Sequence, residues 1–458
     1  MNTDMAADVG RLLPEVFLAA AAVAGLLLGS FLPRARQWAV RALAAAASVA
    51  GLVWTVVGWQ EPAGTVFMDS YAVDTATNAV RVAVLVSVLL VLAMPGTRGH
   101  ARETEFVVLL LLAADGAVLM AGAGDLLLLA AAYLLASVPL YALTAFAKDG
   151  PGTEASMKFY LLGALLGTTM LFGVMLLSGV GRGSGYHVLH ETLPSAPRVA
   201  VAVGVVALLA GLLFKAGAVP GHFWVPDVTE GAPPAVGALV TTIPKIGAVV
   251  ALVRFPFAAT GLDWPLLAAV LAAVTMTLGN LAAFFQTDVR RLLAYSTISQ
   301  VGYLLMAVAA AGRASLALPS LLLYLGAYAV TNLGAFAVVC ALPHARTVDD
   351  YTGLRARPWL VVSLGVCLLG LVGTPPTGVF TGKLTVFTAA ADAGLGWLVV
   401  LAAVNTVASV FYYLRWLVPA VRTGAAPAVT RAAPAYAAAV LSVAVGVLAG
   451  PVLAVLGP

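Results

Sequence analysis

Fourteen runs of mostly apolar residues, each long enough to cross a bilayer, follow one another along this chain with only short polar connections. A hydrocarbon core about 30 Å thick needs about 20 such residues per helix. The runs fall near 12–31, 38–58, 72–94, 105–121, 125–147, 156–180 and 199–219, then near 236–257, 264–285, 290–311, 316–341, 358–376, 394–418 and 433–456. They are continuous rather than alternating, which argues against a barrel of strands. The expected fold is all-α: a polytopic membrane protein with about 14 transmembrane helices. Of the 458 residues 62% are hydrophobic and 10% charged, whereas a soluble domain averages about 25% charged. That balance excludes disorder, a disulfide scaffold and a secreted enzyme. The first run ends without a small-residue cleavage site, so no removable signal peptide is expected.

The positive charges test the reading. With the amino terminus outside, the inward connections hold Arg34, Arg36, Arg41, Arg98, Arg102, Lys148, Lys158, Arg290, Arg291, Arg346, Arg355, Arg357, Arg415, Arg422 and Arg431. The outward ones hold Arg11, Arg182, Arg198, Arg254 and Arg313. This asymmetry follows the positive-inside rule and puts both termini outside. The net charge of +4 is scattered over these connections and is no nucleic-acid footprint.

No cofactor site is legible. The two cysteines, Cys340 and Cys367, lie in apolar runs, and an iron–sulfur cluster needs about four. Neither a GxGxxG after a strand nor a GxxxxGK[ST] is present. The expectation is that this chain binds no metal, nucleotide or redox cofactor.

Four cations remain within or at the edge of the runs: Arg81, Lys215, Lys245 and Lys383. An intramembrane charge is costly and points to function, unless a long side chain near a helix end snorkels to the interface. Snorkelling accounts for Lys148 and Lys158 but not for Lys215, deep in its run. Only five of the 24 basic residues are lysine, yet three of the five are intramembrane. Arginine holds its proton in a protein, whereas a buried lysine can titrate near neutral pH. Proton handling therefore selects lysine; a static salt bridge does not.

The runs around these lysines carry helix breakers. Gly217 and Pro220 follow Lys215 in GLLFKAGAVPGHFWVPD, Pro244 precedes Lys245 in TTIPKIG, and Gly373, Pro375 and Pro376 precede Lys383 in GLVGTPPTGVFTGK. Proline removes an intrahelical hydrogen bond, and the freed carbonyls are tolerable at depth only where protein or water satisfies them. Broken helices beside an ionisable group are a common construction of transporter ion sites. The plain alternative is a packing kink.

The stretches FKAGAVPGHFWVPDVTEGAPPAV, TTIPKIGAVVALVRF, QTDVRRLLAYSTISQVGYLL, TNLGAFAVV, DDYTGL…GTPPTGVFTGKLTVFTAA and NTVASVFYYLRW, with LLPEVFLAAAAVAGLLLG and PLYALTAF nearer the front, resemble the subunit N family of bacterial NADH-quinone oxidoreductase (complex I). The resemblance runs in order along nearly the whole chain, and the PDV-x-EGAP element separates this family from its antiporter-like sisters. It implies fourteen helices in one membrane domain, 1–458. Within it come an N-terminal three-helix segment (1–95), two inverted five-helix repeats (105–257 and 264–418), each with a broken helix, and a closing helix (433–456). It assigns Lys215 as the proton-channel lysine of the seventh helix, Lys245 as the connecting lysine of the eighth and Lys383 as the exit-side lysine of the twelfth. NADH, FMN, iron–sulfur clusters and quinone are implied in partner subunits, and the partners are other membrane-arm subunits in a bacterial plasma membrane.

One departure stands out. The family carries a glutamate five residues before the proline of PLYAL, pairing with the seventh-helix lysine; counting back from Pro139 gives Leu134, with Tyr133 beside it. Asp115 lies near mid-depth of the fourth run, level with Leu134, and is the expected substitute partner for Lys215. A coupling-deficient paralogue is the alternative.

Other polar groups have structural readings. Asp125 is expected to cap the fifth span, and Asn332 and Asn405 to bond between helices. His187 and His190 are expected in solvent, and Arg81, Asp74 and Asp69 in one outer charge cluster. His222, Asp227 and Glu230 form a loop open to inward protons or merely solvated. Ser296, Thr297, Ser299, Gln300 and Tyr303 draw a polar stripe on the tenth span, which in lipid faces protein or water. The expected function is a proton-translocating membrane-arm subunit with no redox chemistry of its own. Its rivals are a cation/proton antiporter subunit without redox coupling and a non-pumping structural paralogue.

Overall fold

The computed structural model of the chain describes residues 8–97 and 102–457, so Arg98 lies outside the described residues. Helices dominate: α1 Leu13–Phe31, α2 Trp38–Val57, α3 Thr75–Ala93, α4 Glu103–Gly122, α5 Leu126–Leu135, α6 Val138–Thr144, α7 Gly150–Val180, α8 Tyr186–Thr192, α9 Arg198–Ala216 and α10 Trp224–Gly231. There follow α11 Pro234–Val240, α12 Ile243–Arg254, α13 Trp264–Ala283, α14 Val289–Ala310, α15 Ala317–Ala341, α16 Pro358–Val372, α17 Gly378–Asp392, α18 Gly396–Val421, α19 Ala433–Val447 and α20 Ala449–Leu456. The strands Gly64–Val66 and Tyr71–Val73 make a short antiparallel hairpin between α2 and α3.

Among the described residues twelve helical segments are long and apolar enough to cross a membrane, or thirteen when α19 and α20, bent by 71°, are taken as one. Fourteen is not reached among them. The window at 358–376 holds α16, only 15 residues long. Gly373 closes it in the left-handed region, and Pro375 and Pro376, without backbone N–H groups, let the chain restart only at α17.

The helices break where the sequence places Gly and Pro beside lysine. Gly217, at φ +75°, ends α9 two residues after Lys215. Pro244 sits in the first turn of α12 beside Lys245, where its missing N–H costs nothing. A further break, at Ala136–Ser137 between α5 and α6, was not expected.

The centre is formed by α12, α14 and α15, nearly all of whose residues are buried. The outer helices α1, α2, α7 and α18 bury one face only. At one end of the bundle Arg41 pairs with Glu103, Arg102 bonds the Phe146 carbonyl at 2.6 Å, and Lys158 and Arg291 share Asp227 at 3.1 and 2.9 Å. Arg290 and Arg346 approach Asp288 there. These six cations thus lie at a single end. At the other, Arg254 grips Asp74 at 2.6 and 2.9 Å.

Candidate functional site

Lys215 lies in the last turn of α9 and is buried. Its Nζ enters the break between α5 and α6, donating to Ser137 Oγ at 2.5 Å and to the Ala136 carbonyl at 3.3 Å. The Tyr133 ring lies beneath, 4.9 Å from Nζ to its centroid. A broken helix frees carbonyls that need donors, and this lysine supplies one.

Asp115 sits at that depth but faces elsewhere. A side chain on Gly116, the next residue, would begin 2.3 Å from the Ala136 nitrogen, so α4 touches the α5–α6 break there. Thr104 and Val108 mark the face of α4 that meets Gly29 and Gly25 of α1, and Asp115, three helical turns on from Thr104, shares that face. Asp115 forms no ion pair with Lys215 among the described residues; Glu15 of α1 is the charged group acting on it. Its Oδ1 is buried without a hydrogen-bond partner among them. Leu134 is 44% exposed, whereas Tyr133 is 1% exposed, so the side chain turned toward Lys215 is the tyrosine.

Beyond Gly217 comes Lys245. Its Nζ stands 3.1 Å from where a side chain on Gly217 would begin and meets no hydrogen-bond partner among the described residues. Just before it, the hydroxyls of Thr241 and Thr242 accept from Asn332 Nδ2 at 3.1 and 2.9 Å. Tyr328 donates to the Thr241 carbonyl at 2.8 Å and lies 3.1 Å from Thr297 Oγ1. One turn along α14, Gln300 takes the Tyr324 hydroxyl on its Oε1 and donates to the Leu371 carbonyl at 2.8 Å. Lys383 Nζ donates to that same carbonyl at 3.2 Å and to Val372 at 2.9 Å, over the Tyr303 ring at 4.2 Å. Three buried lysines and the polar side chains between them thus run from one helix break to another. Lysine and ring recur at both ends.

Chemically such a row can hold and pass protons, since lysine and hydroxyl groups both donate and, when neutral, accept. Among the described residues no three His, Cys, Asp or Glu side chains are placed to hold a metal.

Residues 123–409 match the family described as NADH:quinone oxidoreductase/Mrp antiporter, transmembrane. NADH-quinone oxidoreductase subunit N 1 of Streptomyces griseus subsp. griseus is 56% identical over 92% of this chain and 90% of its own length. The chain belongs to the subunit N family of NADH-quinone oxidoreductase. Subunit N of Mycobacterium sp. (strain JLS) is 50% identical over 92% of this chain and 90% of its own. A chain of respiratory complex I from Thermus thermophilus superposes with a TM-score of 0.83 at 32% identity, covering 97% of this chain and 99% of that one. A chain of the Mrp complex from Dietzia sp. DQ12-45-1b shares the fold, with a TM-score of 0.83 at 23% identity over 98% and 96%.

The remaining polar groups of this subunit N relative sort clearly. Asp125 caps α5, accepting from the Leu127 and Leu128 amides. Asn332 bonds across helices as described, and Asn405 accepts from Asn280 at 3.0 Å. His187 and His190 are exposed. His222 is buried rather than in an open loop, while Asp227 and Glu230 pair with Arg291 at 2.9 and 2.8 Å. The outer charge cluster is corrected: Arg81 takes Glu15 of α1 in a two-pronged pair at 2.8 and 2.9 Å, Asp74 takes Arg254, and Asp69 is bonded by Thr65. Arg81 and Glu15 are both buried, where a charge requires its partner close by. Ser137, Thr241, Thr242, Tyr324 and Tyr328 were not singled out from sequence; the hydroxyl pair in TTIPK beside Lys245 was the available signal.

Proposed function

We propose that this chain is a proton-translocating membrane-arm subunit of a respiratory NADH-quinone oxidoreductase in a bacterial plasma membrane, with both termini outward. In this reading its partners are the other membrane-arm subunits, and NADH, FMN, iron–sulfur clusters and quinone act in subunits other than this one. Protons pass through the segments 105–257 and 264–418 by way of Lys215, Lys245 and Lys383, while quinone reduction elsewhere supplies the energy. Asp115 enters as a carboxyl able to hold a proton one helix away from Lys215, at the level of the Ala136–Ser137 break.

The observation that carries the reading is three buried lysines at or beside helix breaks, with Thr241, Thr242, Asn332, Tyr328, Thr297 and Gln300 buried between α12 and the Leu371 carbonyl that Lys383 holds. A purely structural subunit has no need of charged groups that cost several kcal/mol or more in lipid. The test is the number of protons translocated per quinone reduced in vesicles holding the assembled complex. Lys215→Ala and Asp115→Ala are each expected to lower that ratio while quinone reduction continues. Undiminished pumping by Lys215→Ala contradicts the relay, and by Asp115→Ala the part given to Asp115.

A further inference from the structure

The surroundings of Lys215 hold a chemical pattern beyond its burial. An ammonium has three N–H directions and no acceptor. Here three electron-rich partners meet it: the Ser137 hydroxyl oxygen, the Ala136 carbonyl and the Tyr133 ring face. The Ser137 hydroxyl has one hydrogen, which it donates to the Tyr133 carbonyl at 2.5 Å, so only its lone pairs face the lysine. Gly167 of α7 leaves room for the ring, since a side chain there would begin 3.2 Å from Tyr133.

The titratable groups around this point can be named element by element. Tyr133 belongs to α5 and Tyr141 to α6; Asp115 stands on α4 but faces α1; Lys245 stands on α12 beyond Gly217; His222 follows in the loop after α9. The buried face of α7 offers none. No ion pair within 4.0 Å reaches Lys215 among the described residues.

We infer that Tyr133 and Ser137 are the positioning residues of Lys215, doing with a π-face and a fixed lone pair what a carboxylate does beside a lysine. The inference rests on the relay reading of Lys215. A neutral seat of this kind stabilises the charged lysine less than a carboxylate does and carries no proton of its own away. The release of the proton is then governed by two neutral side chains, and changing either moves the pH at which pumping fails.

The experiment follows protons per quinone against pH in vesicles of the assembled complex. Tyr133→Leu and Ser137→Ala are each expected to move the alkaline fall of that ratio to lower pH by about half to one unit, the size of one cation–π or hydrogen-bond contribution. Tyr133→Phe keeps the ring and is expected to stay within a few tenths of a unit. Tyr133→Glu, which sets a carboxylate beside the lysine, is expected to move the fall to higher pH. A structural role alone would lower assembly and leave the profile where it was. An unshifted profile in assembled Tyr133→Leu overturns the inference; should that variant not assemble, an unshifted profile in Ser137→Ala does the same. Lys215→Ala, run alongside, separates the two claims: full pumping in it removes the relay reading, whereas lost pumping in it with unshifted Tyr133 and Ser137 variants removes this inference alone.

Discussion

Lys245 holds its Nζ against the backbone of Gly217, 3.1 Å from the place where any other residue would put a β-carbon. Two constraints meet at Gly217. Its φ of +75° lies in the left-handed region, which costs other L-residues roughly 1–2 kcal/mol. The space above it belongs to a lysine. Gly217→Ala is therefore expected to lower stability by about 1–2 kcal/mol and to push Lys245 off the line toward Lys215. Thermal unfolding in detergent reads the first effect. Protons per quinone, falling several-fold while quinone reduction persists, read the second.

Gln300 and Lys383 share the Leu371 carbonyl, and Gln300 also receives the Tyr324 hydroxyl. Gln300→Leu keeps the bulk and removes both the donor and the acceptor. Lys383 can still satisfy Leu371, so assembly is expected to survive while proton transfer toward Lys383 slows several-fold. Equal pumping rates in the variant and the parent would show that transfer bypasses Gln300.

Arg81 and Glu15 form a buried pair, with side chains 3% and 5% exposed, and Tyr71 donates to Glu15 at 2.6 Å. Arg81→Met leaves the carboxylate without its cation, at an expected loss of about 3–5 kcal/mol. Adding Glu15→Leu is expected to recover most of it, because the cost lies in the stranded charge. A double-mutant cycle on thermal stability measures the coupling, which should be large and of opposite sign to the single losses.

At the end of the bundle where Arg254 lies, burial alone would raise the Asp74 carboxyl, but the hydrogen bonds and charge of Arg254, with the Thr77 amide, hold it below its ordinary value. A carboxyl lowered on folding lends stability that is full above the unfolded value of about 3.9 and is lost as pH falls through the folded one. The parent is expected to melt lower on acidification below about pH 4. Asp74→Asn is expected to melt lower than the parent at pH 7 and to lose less on the same acid titration, so the two curves converge.

The spans were legible because lipid sets their length. The three lysines were legible because so few charges enter the membrane. Facing was not. Counting back from Pro139 reached Leu134, but the helix is interrupted at Ala136–Ser137, and the rotation there turns Tyr133 inward and Leu134 out. Asp115 was placed at the right depth, yet depth says nothing of azimuth, and it faces α1. Tyr324 and Tyr328 escaped notice because α15 is buried all round, so no polar stripe distinguishes one face from another. The helix expected over 358–376 stops at Val372 because Gly373 and the adjacent prolines end it, and α17 over 378–392, a stretch assigned to no span, is a helix besides.

The carbonyl of Leu371 has two donors where one would do. On the proposed relay, a Lys383 that withdraws its ammonium leaves the Leu371 oxygen with Gln300 and uncovers only the Val372 carbonyl, which has no other donor among the described residues. In a medium without water an uncovered carbonyl is costly. The second donor thus halves what each departure exposes.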